Sequence, residues 1–268
     1  MTRHPRDGGR YGDAMARRFK VGVQLHPQHC SVDDLRAAWV RADEMGVDSI
    51  WTWDHFFPLY GSADGNHFEG TTLLAAMAAT TRRSMIGLMV GCNSYRNPEL
   101  MADIHRTIDH LSGGRAYLGI GSGWFERDYT EYGYEFGTAG GRLRKLADDL
   151  PRIRARLAAL TPPPMGNLPI LIGGSGEKVT LKLVAQYADA WNSFGPPDSW
   201  AAKNGILDRW CAEVGRDPNE IERTVCVGHD DIERIDAFVE AGATHLILMS
   251  GRPFDFTDVE ALLAAADA

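Results

Sequence analysis

From Lys20 onward the chain repeats one unit: a short apolar run, a turn, a helix-patterned stretch and another turn. Val21–Leu25, Val47–Trp51, Met85–Val90 and Ala116–Ile120 are the apolar runs of the first half. Pro169–Ile172, Ala190–Asn192, Thr224–Val227 and His245–Leu248 are those of the second. Helical stretches separate and follow them: Ser31 to Gly46, Thr71–Thr81, Asn97 to Gly113, Arg142–Leu160, Glu177–Tyr187, Asp198–Val214, Asp231–Ala241 and Asp255–Ala266. Ser31, with Asp33 and Asp34 behind it, suits a helix N-terminus, and Gly46 suits a left-handed C-cap. Pro151 is expected to split or kink the Arg142–Leu160 helix. Strands that alternate with helices pair in parallel through helical crossovers. Eight such units predict an α/β fold, a (β/α)8 TIM barrel, over an open doubly wound sheet with two unpaired edges.

The TPPPMGN segment marks no domain boundary, because each half holds only four strands. Residues 19–268 are therefore read as a single barrel domain. Residues 1–18, with Arg3, Arg6, Arg10, Arg17 and Arg18 and almost no large apolar side chain, are read as a disordered basic tail with no secretory h-region. The net charge of −8 argues against nucleic acid as a partner. No apolar window is long enough to cross a membrane. Cys30, Cys92, Cys211 and Cys226 fall in no CxxC or metal spacing, so reduced thiols in a cytoplasmic protein are expected, and no metal. His26 and His29 straddle Pro27 and are read as hydrogen-bonded loop histidines.

In such barrels chemistry gathers at the C-terminal ends of the strands. The assignment places His26 and Gln28 there after the first strand, and Asp54 and His55 after the second. Cys92, Asn93, Tyr95 and Arg96 follow the third, and Gly121–Glu126 the fourth. Gly173-Gly174-Ser175-Gly176 ends the fifth, with a helix expected at once. Glycine-exposed N–H groups at a helix start make an anion site, although a tight strand-to-helix turn also wants glycine. The run IWTWDHFFP around Asp54 and His55 is the most pointed feature, because an ionisable pair inside an aromatic stretch is costly unless satisfied or useful. Either Asp54 caps a turn beside a satisfied imidazole, or the pair carries a reaction.

Five stretches in order, VGVQLHPQ, WTWDHFFPL, NSYRNPELMADIHRTIDHLSGGRAYLGIGSGWFERDYTEYG, PILIGGSGEKV and TLKLVAQYADAWN, resemble the luciferase-like monooxygenase superfamily, specifically its branch dependent on the deazaflavin coenzyme F420. The resemblance runs over roughly residues 19 to 225. It implies a barrel with the cofactor ring across its C-terminal mouth, Asp54 and His55 beside the reactive ring carbon, and a non-prolyl cis peptide at Met89-Val90 under the ring. It implies that the GGSG stretch receives the cofactor phosphate. Expected cofactor contacts are thus Asp54, Met89, Val90, Asn93, Gly173, Gly174, Ser175 and Gly176. The expected catalytic residues are His55 and Asp54, walled by Trp53, Phe56 and Phe57, with Glu126. Relatives place an acid near the end of the fourth strand, where Trp124 stands here and Glu126 follows two residues on. Many relatives carry a long insertion before the fifth strand; only TPPPMGN stands here. The activity implied is hydride transfer between coenzyme F420 and a small organic substrate. An FMN-dependent monooxygenase and a non-catalytic (deaza)flavin-binding protein are the alternatives, and a homodimer is left open.

Overall fold

The computed structural model describes residues 17–268, so most of the expected N-terminal tail lies outside the described residues. Its last two positions belong to the barrel instead. Arg17 pairs with Asp48 at 3.0 Å and Asp267 at 2.9 Å, and the Arg18 N–H donates to Ala266 O at 2.9 Å. The Arg17 guanidinium, held between Asp48 before the second strand and Asp267 at the end of the last helix, fixes this entry to the first strand.

Nine parallel strands form the sheet: β1 (Lys20–Leu25), β2 (Ser49–Thr52), β3 (Met85–Leu88), β4 (Gly91–Cys92), β5 (Leu118–Gly121), β6 (Ile170–Gly173), β7 (Ala190–Ser193), β8 (Glu222–Val227) and β9 (His245–Ser250). Their order is β3-β2-β1-β9-β8-β7-β6-β5-β4. The two ends meet where Ile86 bridges Ala116, with the Ile86 N–H donating to Arg115 O and the Tyr117 N–H to Ile86 O, both at 2.8 Å. β3 and β4 are therefore the lower and upper parts of one barrel stave. The expected single strand over 85–90 breaks at Met89-Val90, whose peptide bond is cis. At this break the Leu88 carbonyl comes so near Gly119 that a Cβ there would lie 1.9 Å from the oxygen, so only glycine fits opposite it.

The helices are α1 (Val32–Met45), α2 (Gly70–Thr80), α3 (Pro98–Ser112), α4 (Glu126–Tyr132), α5 (Ala139–Ala159), α6 (Thr180–Tyr187), α7 (Pro197–Val214), α8 (Ile235–Glu240) and α9 (Thr257–Asp267). α1 starts on a full capping box, Ser31 with Asp34, and stops at Gly46 with φ +81°. α3 starts on Asn97, whose side chain accepts from the Leu100 N–H at 3.0 Å. Three expectations change. α4 is an extra helix, too short for its apolar period to show in the sequence. Pro151 sits inside an uninterrupted α5 and does not split it. α6 begins at Thr180, because residues 177–179 form a turn first. The short connection before β6 is held on α3, where Asp109 accepts from the Met165 and Gly166 N–H groups at 2.7 and 2.9 Å.

Side chains alternate across the strands as the pleat requires. Val21, Val23, Leu246 and Leu248 face the helices, in one core with Leu35, Trp39, Leu74 and Leu150. Trp51, Tyr117, Leu171, Cys226 and Ile247 fill the barrel interior. Beneath them lies a polar floor. Trp51 Nε1 donates to Ser49 Oγ at 2.6 Å, Ser49 Oγ meets His245 Nε2 at 2.8 Å, and His245 Nδ1 meets Glu222 at 3.1 Å. Tyr117 OH donates to the other Glu222 oxygen at 2.7 Å. Burial alone raises the Glu222 pKa, but His245 and Lys20 outweigh it and bring it to about 2.

The closing seam depends on Asp43 of α1. Its buried carboxylate accepts from the peptide N–H groups of Arg82, Arg83 and Ser84 at 2.8, 3.0 and 2.8 Å, which aims the chain into β3. Burial raises its pKa, but the three donors prevail and hold the carboxyl below its ordinary value. A folded value below the unfolded one contributes stability above about pH 4, and that contribution is lost as pH falls through the lowered value. Asp43→Ala strands buried donors and should cost about 3 kcal/mol at pH 7, a fall in Tm of roughly 6–12 °C at this chain length. The gap from wild type should shrink as pH drops below 4. Thermal melts between pH 3 and 7 check both; an unchanged Tm at pH 7 contradicts the role given to Asp43.

Candidate active site at the barrel mouth

A cavity of about 460 Å3 opens at the C-terminal ends of the strands. Trp53, Asp54 and His55 from the end of β2, Met89 and Val90 from the break, and Gly173 and Gly174 from the end of β6 line it. Tyr60, Cys92, Gly121, Trp124, Asn192, Phe194 and Met249 are also among the lining residues. The break is fixed from below, where Gln24 Nε2 donates to Met89 O at 2.9 Å. Val90 leans over Gly121 and Gly173, where a Cβ would come within 2.8 and 2.9 Å of its methyl groups. The glycines of GIGSG and GGSG are thus required in part by Val90.

Asp54 is 1 % exposed and engaged on both oxygens. Arg96 bridges them at 2.5 and 2.8 Å, and the Cys92 N–H adds a third bond at 2.9 Å. Arg96 also donates to Glu69, which caps α2 through the N–H groups of Thr71 and Thr72. Burial disfavours the Arg96 charge, yet Asp54 and Glu69 hold its pKa above the ordinary value. Burial raises Glu69 as well, but its donors on Thr71 and Thr72 bring it down to about 2. This buried pair is a fixed ionic brace, tying the end of β2 to β4 and α2.

His55 is organised differently. Its Nδ1 lies 2.7 Å from Asp128 Oδ2, and Asp128 is wholly buried on α4. The same oxygen accepts from Tyr95 OH at 2.8 Å, and Oδ1 accepts from the Phe56 N–H at 3.0 Å. Burial, with Cys92 and Asp128 nearby, keeps Tyr95 protonated, so it stays a donor. A carboxylate with three donors around it fixes the proton of a neutral His55 on Nδ1. Nε2 is left free to accept or, once charged, to give a proton.

Two histidines beside Trp53 are kept neutral. His26 stacks on Trp53 with centroids 4.4 Å apart, and His67 accepts from Trp53 Nε1 at 2.8 Å. Burial first, with charged neighbours second, lowers both to about 4. His29 contacts Tyr60 O at 2.7 Å, and no metal-binding cluster of three or more ligands occurs among the described residues.

Other expected residues fall apart from the cavity. Asn93 turns away from it and donates to Asp149 of α5 at 2.9 Å. Glu126 is exposed on the first turn of α4 and does not line the cavity. Two residues apart on a helix is about 200° of rotation, so inward Asp128 sends Glu126 outward. Phe56 and Phe57, expected beside Trp53 as walls, pack away instead: Phe56 on Tyr132 at 4.1 Å, and Phe57 under Arg127 at 4.1 Å. Trp124 stands edge-on to His55 at 5.6 Å. Asp128 was not singled out from the sequence. Its signal is the helical phase of ERDYTEY, which turns Asp128 and Tyr129 to the same buried face.

The residues fit a flat aromatic cofactor with a phosphate. The walls are apolar and aromatic, and the glycine loop stands on the rim. The Gly174 N–H is engaged by Asn192 O at 2.9 Å, whereas the N–H groups of Ser175 to Lys178 have no protein acceptor among the described residues. Ser175 and Gly176 are exposed there, so the N–H groups without an acceptor begin one residue beyond Gly174 and not at Gly174 itself.

The profile of the luciferase-like monooxygenase family matches residues 15–247. An F420-dependent glucose-6-phosphate dehydrogenase of Amycolatopsis mediterranei (strain U-32) is 34% identical over 138 residues, 51% of this chain and 41% of that protein. The chain thus matches less than half the length of that relative. The structure of an F420-dependent secondary alcohol dehydrogenase in complex with an F420-acetone adduct superposes with TM-score 0.83, at 17% identity, over 92% of this chain and 99% of that one. The FMN complex of the oxygenating constituent of 3,6-diketocamphane monooxygenase from Pseudomonas putida follows at TM-score 0.63 and 16% identity, over 78% of this chain and 66% of that one. With a barrel broken at Met89-Val90 and a family profile spanning nearly all of it, the chain belongs to the luciferase-like monooxygenase family.

Proposed function

We propose that this chain is an F420-dependent oxidoreductase that moves a hydride between the deazaflavin and a small alcohol, carbonyl or activated double bond. The observation that carries the reading is His55: one ring nitrogen held by fully buried Asp128, the other left to an apolar cavity with an anion-binding loop on its rim. The names of the F420-dependent relative and of the F420-adduct structure support the choice of cofactor. The FMN complex keeps FMN as the second reading.

Coenzyme F420, when bound, supplies or takes a hydride at a ring carbon and nothing else. Met89 and Val90 offer a shaped apolar face for the ring, and Trp53 closes one side. The N–H groups beyond Gly174 receive the phosphate. For each hydride delivered to a carbonyl carbon, one proton must reach the oxygen. His55 Nε2 gives it, and takes it back in the reverse direction. Asp128 holds Nδ1 and so fixes the orientation of the imidazole. Asp54 holds the peptide of Cys92 under the cavity through a charge already paired with Arg96, so its part is positioning rather than proton transfer.

A positioned acid or base contributes about a hundred- to ten-thousandfold. His55→Gln should lower the rate of reduced-F420 oxidation with a carbonyl substrate by an amount in that range, keep cofactor affinity within a few-fold and remove one limb of the pH profile. Asp128→Asn sets an amide N–H against one of the three donors, so it should lower both turnover and Tm, the second read by a thermal melt. Absorbance-followed turnover and a fluorescence titration measure the two quantities. Unaltered turnover in the His55 variant contradicts the role.

Ser175→Asp places a negative charge beside the free N–H groups without the left-handed backbone strain that any side chain meets at Gly174, where φ is +130°. Cofactor affinity should fall at least about tenfold, as expected for like charges a few ångströms apart in partly screened surroundings. Calorimetry with wild type and variant decides it; equal affinities place the phosphate elsewhere.

A further inference from the structure

We infer that the substrate is uncharged and largely apolar, a hydrophobic ketone, secondary alcohol or enone, and that phosphorylated and carboxylate-bearing molecules are shut out. The inference rests on the hydride-transfer reading above and adds the substrate class.

The first observation is charge. No Lys or Arg lines the cavity, and its single carboxylate, Asp54, is neutralised by Arg96. Three arginines around the mouth are engaged elsewhere, and Lys178 is exposed on the glycine loop assigned to the cofactor. Arg96 is bound by Asp54 and Glu69. Arg127 donates to Ala63 O and Asp64, and Arg142 to the carbonyls of Gly123 and Phe136. Burying a phosphate or carboxylate against such walls leaves its charge uncompensated, which costs far more than the contacts return. The N–H groups beyond Gly174, which have no protein acceptor among the described residues, are assigned to the cofactor.

The second observation is the lip. Three large aromatic residues from the loops after three different strands converge on this mouth: Tyr60 after β2, Trp124 after β5 and Phe194 after β7. They are 56, 62 and 56 % exposed, against the trend for large apolar side chains. Exposed apolar surface gathered around one cavity marks a binding face. Trp124 also sits edge-on to His55, so a molecule held on its face lies next to the proton donor. The lip therefore selects by apolar contact and the cavity rejects by charge.

The test uses the full chain with reduced F420 and three probes: acetophenone, cyclohexanone and glucose 6-phosphate. Binding is read by calorimetry and turnover by cofactor absorbance, with Trp124→Ala, Trp124→Phe and Phe194→Ala beside wild type. The expected result is turnover of the two ketones and none of the sugar phosphate. Trp124→Ala and Phe194→Ala should each raise KM about tenfold, as lost apolar area predicts, with kcat changed less than about threefold; Trp124→Phe should restore most of the loss. Turnover of glucose 6-phosphate without the ketones overturns the substrate class and leaves the hydride-transfer reading standing. Ketone binding that depends on Trp124 but gives no turnover in either direction supports the class and overturns the hydride-transfer reading. Absence of ketone binding, or binding indifferent to all three variants, overturns the inference.

Discussion

Asp128 is a fully buried carboxylate on a seven-residue helix, and the geometry of the mouth follows from how it is satisfied. An uncompensated charge at that depth is prohibitively costly, so three donors must converge on it. They come from separate parts of the chain: His55 and the Phe56 N–H from the loop after β2, and Tyr95 from the segment before α3. One side chain thereby fixes the position of α4, the course of the loop and the tautomer of the histidine. Phe56, Tyr95, Tyr132 and Tyr134 pack into one aromatic layer behind this hub, with Phe56 and Tyr132 only 4.1 Å apart. Asp128 lies fully buried behind this layer, and His55 is held by it with no second hydrogen-bond partner among the described residues.

The second carboxylate of the mouth does the opposite job. Asp54 binds a guanidinium bidentately and a peptide N–H, and so has no capacity left for proton exchange. Adjacent in sequence, Asp54 and His55 part company in space: one is locked into the frame between β2, β4 and α2, the other is exposed to the cavity through a single nitrogen. The cavity is thus left with no unpaired carboxylate and no Lys or Arg in its lining, and the proposed selection rests on shape, apolar area and one proton.

The barrel was legible because its signals are local and repeated. Each strand is a short apolar run, and the caps at Ser31, Asn97 and Gly46 act within a few residues of one another. The parts that escaped are those set by tertiary contact. The break at Met89-Val90 lies inside an unbroken apolar run, and its place came from resemblance rather than from periodicity. α4 is too short to show a period. Glu126 and Asp128 look alike in sequence, and only the helical phase, fixed by where Tyr129 is buried, separates the exposed carboxylate from the buried one. Phe56 and Phe57 read as cavity walls because they flank Asp54 and His55. The loop folds back, and Trp124 and Phe194 from other staves take that place. Asn93 was drawn toward the cavity by its position after a strand, while a buried Asp149 on α5 claims its amide.

The central claim is that this mouth is built for a deazaflavin. Equilibrium titration of the purified chain with coenzyme F420 and, separately, with FMN tests it most directly, with fluorescence as the readout and no substrate required. The account predicts saturable one-to-one binding of F420, at least about tenfold tighter than FMN, a difference of about 1.4 kcal/mol. Tighter binding of FMN, or no saturable binding of F420, contradicts it.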